Sequence, residues 1–200
     1  MTPSRGESMA IPNDFICRLS LTQFHEMLRE GIVTQDDPVE FLNGWLIAKV
    51  PKNPSHRVAT RQIRRALESR VPAGWYVDSQ EPITLADSEP EPDGMIVRGD
   101  SAQYLDRHPG AADIALVIEV SDKTLKRDRG AKKLVYAAAG IPFYWILNLN
   151  DRGLEVYSDP SGSGEQADYR LCEQLGADDT LALIVDGREI AAIPVADLLP

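Results

Sequence analysis

Ile114–Ala115–Leu116–Val117–Ile118–Glu119–Val120 is an apolar run interrupted by one acid, and Phe143–Tyr144–Trp145–Ile146–Leu147 is a second run of the same kind. Short runs rich in β-branched and aromatic residues predict strands buried on both faces. Between them the spacing predicts a helix over roughly 128–139, ended by Gly140. Strand, helix and strand with short connections make a right-handed βαβ unit, so these two strands are expected to run parallel. The fold class follows as α/β, a mixed central sheet flanked by helices.

Upstream, Asp93–Gly94–Met95–Ile96–Val97 predicts a strand, and Trp75–Tyr76–Val77 and Ile83–Thr84–Leu85 two shorter ones, with 86–90 a loop. Ser101–His108 holds a short helix. Val39–Leu42 and Trp45–Ala48 flank Asn43–Gly44, the strongest short-range hairpin signal, which puts Glu40 on a strand. Ser20 or Thr22 is the expected cap of a helix carrying Leu21, Phe24 and Leu28. A second helix over roughly 55–70 gathers Ala59, Ile63, Ala66 and Leu67 on one stripe and Arg57, Arg61, Arg64 and Arg65 on the other side. Downstream, Leu154–Val156 pairs with the preceding strand, 158–164 is a flexible connection, and Tyr169–Leu171, Leu181–Val185 and Ile190–Ala192 are short strands before a last helical turn at Val195–Leu199. This tail reads as an antiparallel C-terminal extension.

Two hundred residues, 43% hydrophobic and 26% charged, suit one buried core, so a single domain over 15–200 is expected after a polar, disordered segment at 1–14. Cys17 and Cys172 are too few and too far apart for a disulfide framework or a zinc knuckle. No run resembles a signal peptide or approaches the ~18 apolar residues of a membrane span. A cytoplasmic location without membrane association is the expectation.

A net charge of −10 argues, taken as an average, against nucleic acid as a partner. The average hides an asymmetry. Lys49–Arg70 holds seven Lys or Arg against one acid and Lys123–Lys133 six against one, windows of +6 and +5 that leave −21 on the rest. Arg57, Arg61, Lys123, Lys126, Arg127 and Arg129 are therefore the candidate phosphate contacts, with a solvated helix face as the alternative for the arginine ridge.

Asp93 and Glu119 are the candidate metal ligands. A hard cation such as Mg²⁺ or Mn²⁺ takes oxygen ligands and retains waters, so two carboxylates and a substrate phosphate suffice. An acid inside an apolar strand needs a partner or a purpose. Asp128, Lys132 and Tyr136 are spaced to stack along one helix side, which brings Lys132 to the carboxylates, either as a structural ion pair or to orient water and neutralise charge growing on phosphate. Glu40, Asp128 and His56 are supporting candidates. Tyr136 and Trp145 read as core aromatics.

Pro92–Asp93, Glu119–Val120–Ser121 and Asp128-x₃-Lys132-x₃-Tyr136-x₃-Gly140–Ile141–Pro142-x-Tyr144–Trp145 together resemble the Uma2 (DUF820) family of bacterial restriction-endonuclease-like proteins. Glu40-x₃-Gly44, Pro54-x-His56 and Gln80-x-Pro82–Ile83-x-Leu85 agree with it. The likeness covers about residues 18–157. It implies the PD-(D/E)xK nuclease superfamily, in which an Asp, a second acid and a lysine surround a divalent metal on a mixed sheet. That motif places the lysine two positions after the acid, where this chain has Ser121; in the family the lysine is thought to have moved to the helix, which maps onto Lys132. The expected function is a metal-dependent DNA endonuclease, with a homodimer if both strands are cut. The net acidity and the Glu-x-Ser departure support an alternative, a catalytically inactive nuclease-like module that binds nucleic acid or protein partners.

Overall fold

The computed structural model of the chain describes residues 17–34 and 36–200; the N-terminal segment 1–14 lies outside the described residues. Helix α1, Leu21–Arg29, starts at Ser20, whose hydroxyl accepts the Gln23 amide while the Gln23 side chain accepts the Ser20 amide, a reciprocal cap. Its Phe24 ring stacks on Phe41 at 4.6 Å between centroids. Phe41 belongs to the hairpin β1, Val39–Leu42, and β2, Trp45–Ala48. Asn43 and Gly44 turn it with φ of 49° and 78°, the left-handed pair that a two-residue hairpin turn requires.

Helix α2, Pro54–Glu68, is capped by the Asn53 side chain on the His56 amide and buries Ala59, Ile63, Ala66 and Leu67 as the stripe predicted. Arg57, Arg61, Arg64 and Arg65 are exposed on its other side. Then follow β3, Trp75–Asp78; β4, Gly94–Arg98; and β5, Ile114–Ser121, all eight residues of which are buried. A strand covered on both faces has no room for alternating polar residues, and its composition reflects that.

Short α3, Leu125–Arg127, runs into a π turn at Asp128–Lys132 and then α4, Lys133–Ala138, before β6, Phe143–Asn148. The chain ends in β7, Gly153–Ser161; β8, Asp168–Gly176; β9, Thr180–Val185; and β10, Arg188–Pro194. Six strands form a mixed sheet in the order β3-β4-β5-β6-β7-β8, parallel at β5/β6 and antiparallel elsewhere. One face packs on α2 and the separate β9–β10 hairpin, through residues such as Ile63, Ile118, Trp145, Leu183 and Ile193. The other packs on α4, through Val117, Tyr136, Tyr144 and Ile146.

Five local expectations are corrected. Ile83–Leu85 is no strand: between Pro82 and Pro90 the chain folds back on itself, Ile83 donating to the Pro90 carbonyl and Leu85 to that of Ser88, and a single bridge joins Thr84 to Gly110. Residues 158–161 are strand rather than flexible connection, because β7 remains paired with β8 out to Ser161. The tail extends the main sheet only through β7 and β8. At 128–139 the expected continuous helix is interrupted by the π turn, and at 101–108 only Ser101–Tyr104 forms a 3₁₀ turn.

Candidate active site

Antiparallel pairing puts Gly94 opposite Ile118, so one step before β4 Asp93 arrives beside Glu119. The Val120 amide donates to Asp93 Oδ2 at 2.9 Å, fixing the carboxylate to the strand that carries the second acid. Glu119 faces the α3–α4 segment. The π turn there, closed by the Lys133 amide on the Asp128 carbonyl and buttressed by the Tyr144 hydroxyl on the same oxygen at 3.0 Å, delivers Lys132 to it. Single π turns are common at functional sites because they re-aim side chains without ending the helix.

Lys132 Nζ lies 2.8 Å from Glu119 Oε1 and 3.0 Å from Glu40 Oε1. Tyr136 Oη donates to the same Glu119 oxygen at 2.7 Å. Glu40 Oε1 also accepts the Glu91 amide at 2.9 Å, which ties the hairpin to the segment leading into Asp93. Ser121, where the superfamily lysine would stand, donates its hydroxyl to Asp128 Oδ2, as does Thr124. Asp128 thus braces the strand end against the π turn. Asp93 receives His56 Nε2 at 3.1 Å on Oδ2 and Lys52 Nζ at 3.1 Å on Oδ1. Asp93, Glu119, Lys132, Glu40, Asp128 and His56 all line one cleft that opens to solvent.

The basic candidates separate. Lys123 and Arg127 line the cleft, and Lys126 lines an adjoining groove. Arg57 and Arg61 are exposed on α2 but do not line the cleft, although His56, next to Arg57 in the chain, does. Arg129 points elsewhere: its guanidinium makes a forked pair with Glu155 of β7, at 2.6 to 3.0 Å. Two residues on from Arg127, Arg129 falls on the opposite side of the helical segment.

Four buried carboxylates surround one buried ammonium here. Burial pushes Glu119 up, Lys132 opposes it, and the charges of Asp93, Asp128 and Glu40 add to the rise, so the carboxyl sits well above the usual range. Burial works against the Lys132 ammonium, but Glu119, Glu40 and Asp128 outweigh it and hold it charged. Beyond burial, the neighbouring carboxylates push both groups the same way, because they outnumber the ammonium. Oxygen donors with a charge deficit are what a hard divalent cation fits. Among the described residues no group of three His, Cys, Asp or Glu converges for a metal, so a cation held here would have Asp93 and Glu119 as its side-chain ligands and water for the rest. Glu119 Oε2 accepts no hydrogen bond among the described residues, whereas at Asp93 a cation would displace the flexible, half-exposed Lys52.

Asp93 behaves oppositely. Burial raises it, yet the His56 contact, the Lys52 charge and the Val120 amide together hold it at about 2. A depressed carboxyl contributes stability above its unfolded pKa of 3.8 that is lost as pH falls through the folded value. In metal-free protein this contribution is about 2 kcal/mol. Urea unfolding at pH 5 and at pH 2.5 checks it: about a third of the contribution survives at pH 2.5, so Asp93→Asn should flatten the difference by about 1.5 kcal/mol.

Residues 21–193 match the Uma2 family, described as "putative restriction endonuclease". The chain belongs to the Uma2 family. The match extends past the 18–157 expected from motifs, into β10. Among solved structures, a putative nuclease belonging to DUF820 from Anabaena variabilis ATCC 29413 superposes with a TM-score of 0.66 over 90% of this chain and 97% of its own, at 14% identity, which establishes the shared fold. No curated protein matches. Uma2 membership supports nuclease chemistry on nucleic acid, and among the described residues no helix is long and apolar enough to cross a membrane.

Two contacts of this Uma2 chain escaped the sequence. Lys52 sits in the loop between β2 and α2, and its basic window was visible although its reach to Asp93 was not. Tyr136 is fully buried as expected of a core aromatic, yet its hydroxyl is a Glu119 ligand; the i+4 spacing from Lys132 and the need of a buried phenol for a partner were the available signals.

Proposed function

We propose that this protein is a metal-dependent endonuclease that hydrolyses DNA phosphodiester bonds. Its support is the convergence of Asp93, Glu119 and Lys132 on one open cleft, from two strands and a helix distant in sequence. Asp93 and Glu119 would hold Mg²⁺ or Mn²⁺. Bound there, the ion supplies a water of lowered pKa and a Lewis acid for the phosphoryl oxygen. Lys132, kept charged by its neighbours, neutralises charge growing on the phosphate and keeps Glu119 oriented. Tyr136 and Glu40 hold that pair in register, and Asp128 fixes the turn that carries it. His56, against Asp93, sets the orientation of the first ligand.

Lys123 and Arg127 are the proposed phosphate contacts at the mouth. Lys123→Ala should weaken binding across sequences and reduce the slope of log K against log salt by about 0.7–0.9, whereas Arg129→Ala should leave it unchanged because Glu155 already holds that guanidinium. Cutting both strands at one locus would need two copies related by a two-fold axis. Incubation of purified protein with supercoiled, linear and single-stranded DNA in Mg²⁺ or Mn²⁺ tests the reading. Cleavage lost on chelation and in Asp93→Ala is the expected result. No cleavage of any form, with Asp93→Ala indistinguishable from the parent, would refute it and favour a non-cutting binding module.

A further inference from the structure

Beside the cleft lies a second depression, an open groove whose wall includes the half-buried side chains of Trp45, Ile47 and Leu134. Lys123, Lys126 and Arg127 complete that wall. Val50, Lys123, Thr124 and Arg127 belong to both depressions, so the two are continuous across a shared basic ridge. Arg127 is pinned on that ridge by a 3.0 Å bond to the Ala48 carbonyl, while its Nε is buried without a partner among the described residues. None of these apolar residues takes part in the proposed cleavage chemistry.

We propose that the groove seats an unpaired nucleobase of the strand whose phosphate enters the cleft, which makes the substrate single-stranded, frayed or flipped DNA rather than intact duplex. The inference rests on the nuclease reading of the neighbouring cleft. Its argument is charge complementarity and continuity. A ligand that crosses from a carboxylate-lysine cleft over three cations into an apolar slot must be anionic along its length and apolar on its faces, which describes a nucleotide strand. Base faces in an intact duplex are hidden by stacking and leave such a slot unfilled. The Trp45 indole, with the Arg18 guanidinium 6.0 Å from its ring centroid, is the stacking platform, and Ile47 and Leu134 are the walls.

Fluorescence anisotropy of the full chain with a labelled oligonucleotide, alone and annealed to its complement, tests the groove, with cleavage of both forms in Mn²⁺ followed in parallel. The single strand should bind about tenfold more tightly than the duplex; Trp45→Ala should remove that preference and Trp45→Phe retain it, with duplex binding unchanged throughout. Gly130→Leu gives a second route that removes no packed side chain. A Cβ at Gly130 meets nothing within 4 Å, so leucine there fills the groove and should weaken single-strand binding similarly. Cleavage of duplex with no single-strand preference, or with Trp45→Ala and Gly130→Leu neutral, overturns the groove while the nuclease reading stands. Trp45-dependent single-strand binding without cleavage sustains the groove and refutes the nuclease reading. Absence of any binding overturns both.

Discussion

Lys132→Met should lower metal-dependent cleavage by at least about a hundredfold, the usual consequence of removing one electrostatic stabiliser of a developing oxyanion. The same change should destabilise the fold by about 3–5 kcal/mol, because two buried carboxylates, Glu119 and Glu40, lose the ammonium between them. Lys132→Arg should rescue neither fully, since a planar fork cannot replace a point charge in a site closed around it. The two effects are separable. Adding Glu40→Gln to Lys132→Met removes one orphaned charge and should recover part of the stability without recovering cleavage, a coupling that a double-mutant cycle measures by urea unfolding. Wild-type cleavage by Lys132→Met would leave the lysine a structural ion pair and nothing more.

Glu119→Gln should give the opposite pattern in stability. The isosteric amide keeps a carbonyl oxygen for Tyr136, Lys132 keeps Glu40, and a neutral amide suits a site whose burial already disfavours the carboxylate, so metal-free protein should be at least as stable as the parent. Cleavage should nevertheless fall by at least about a hundredfold, because half of the carboxylate pair proposed for the cation is gone. Binding of Mn²⁺ to the folded parent stabilises it by about 2.7 kcal/mol at a hundredfold excess over Kd, seen as a rise in melting temperature. That rise should vanish in Glu119→Gln and in Asp93→Asn. A retained rise in both variants would place the cation elsewhere.

Most of the fold was legible because its central strands bury both faces, and β5 and β6 must then be almost wholly apolar. The parallel pairing of β5 with β6, the hairpin at Asn43–Gly44 and the split faces of α2 all follow from patterns with periods of two or 3.6 residues. Ile83–Leu85 has the composition of a strand but lies between two prolines whose geometry closes the chain into a turn, which composition alone does not weigh. The length of β7 was hidden by Asp159 and Pro160, residues that ordinarily end strands and here lie in an irregular stretch still paired to β8 through Pro160 and Ser161. Asp93, Glu119 and Lys132 were readable as an acid out of place in an apolar run, its neighbour across a register, and a helical spacing. Lys52 on Asp93 and Arg129 on Glu155 depend on side-chain reach, which leaves no periodic signature.

The π turn that carries Lys132 divides the site between two mechanical bodies. Both proposed anionic ligands are anchored to hydrogen-bonded strands, whereas Lys132 is mounted on a helical segment that side chains tie to the sheet, among them Ser121 on the Asp128 carboxylate and Tyr144 on the Asp128 carbonyl. Repacking behind the helix, at Tyr144 for instance, is therefore expected to shift Lys132 against the two carboxylates with no residue in the cleft altered.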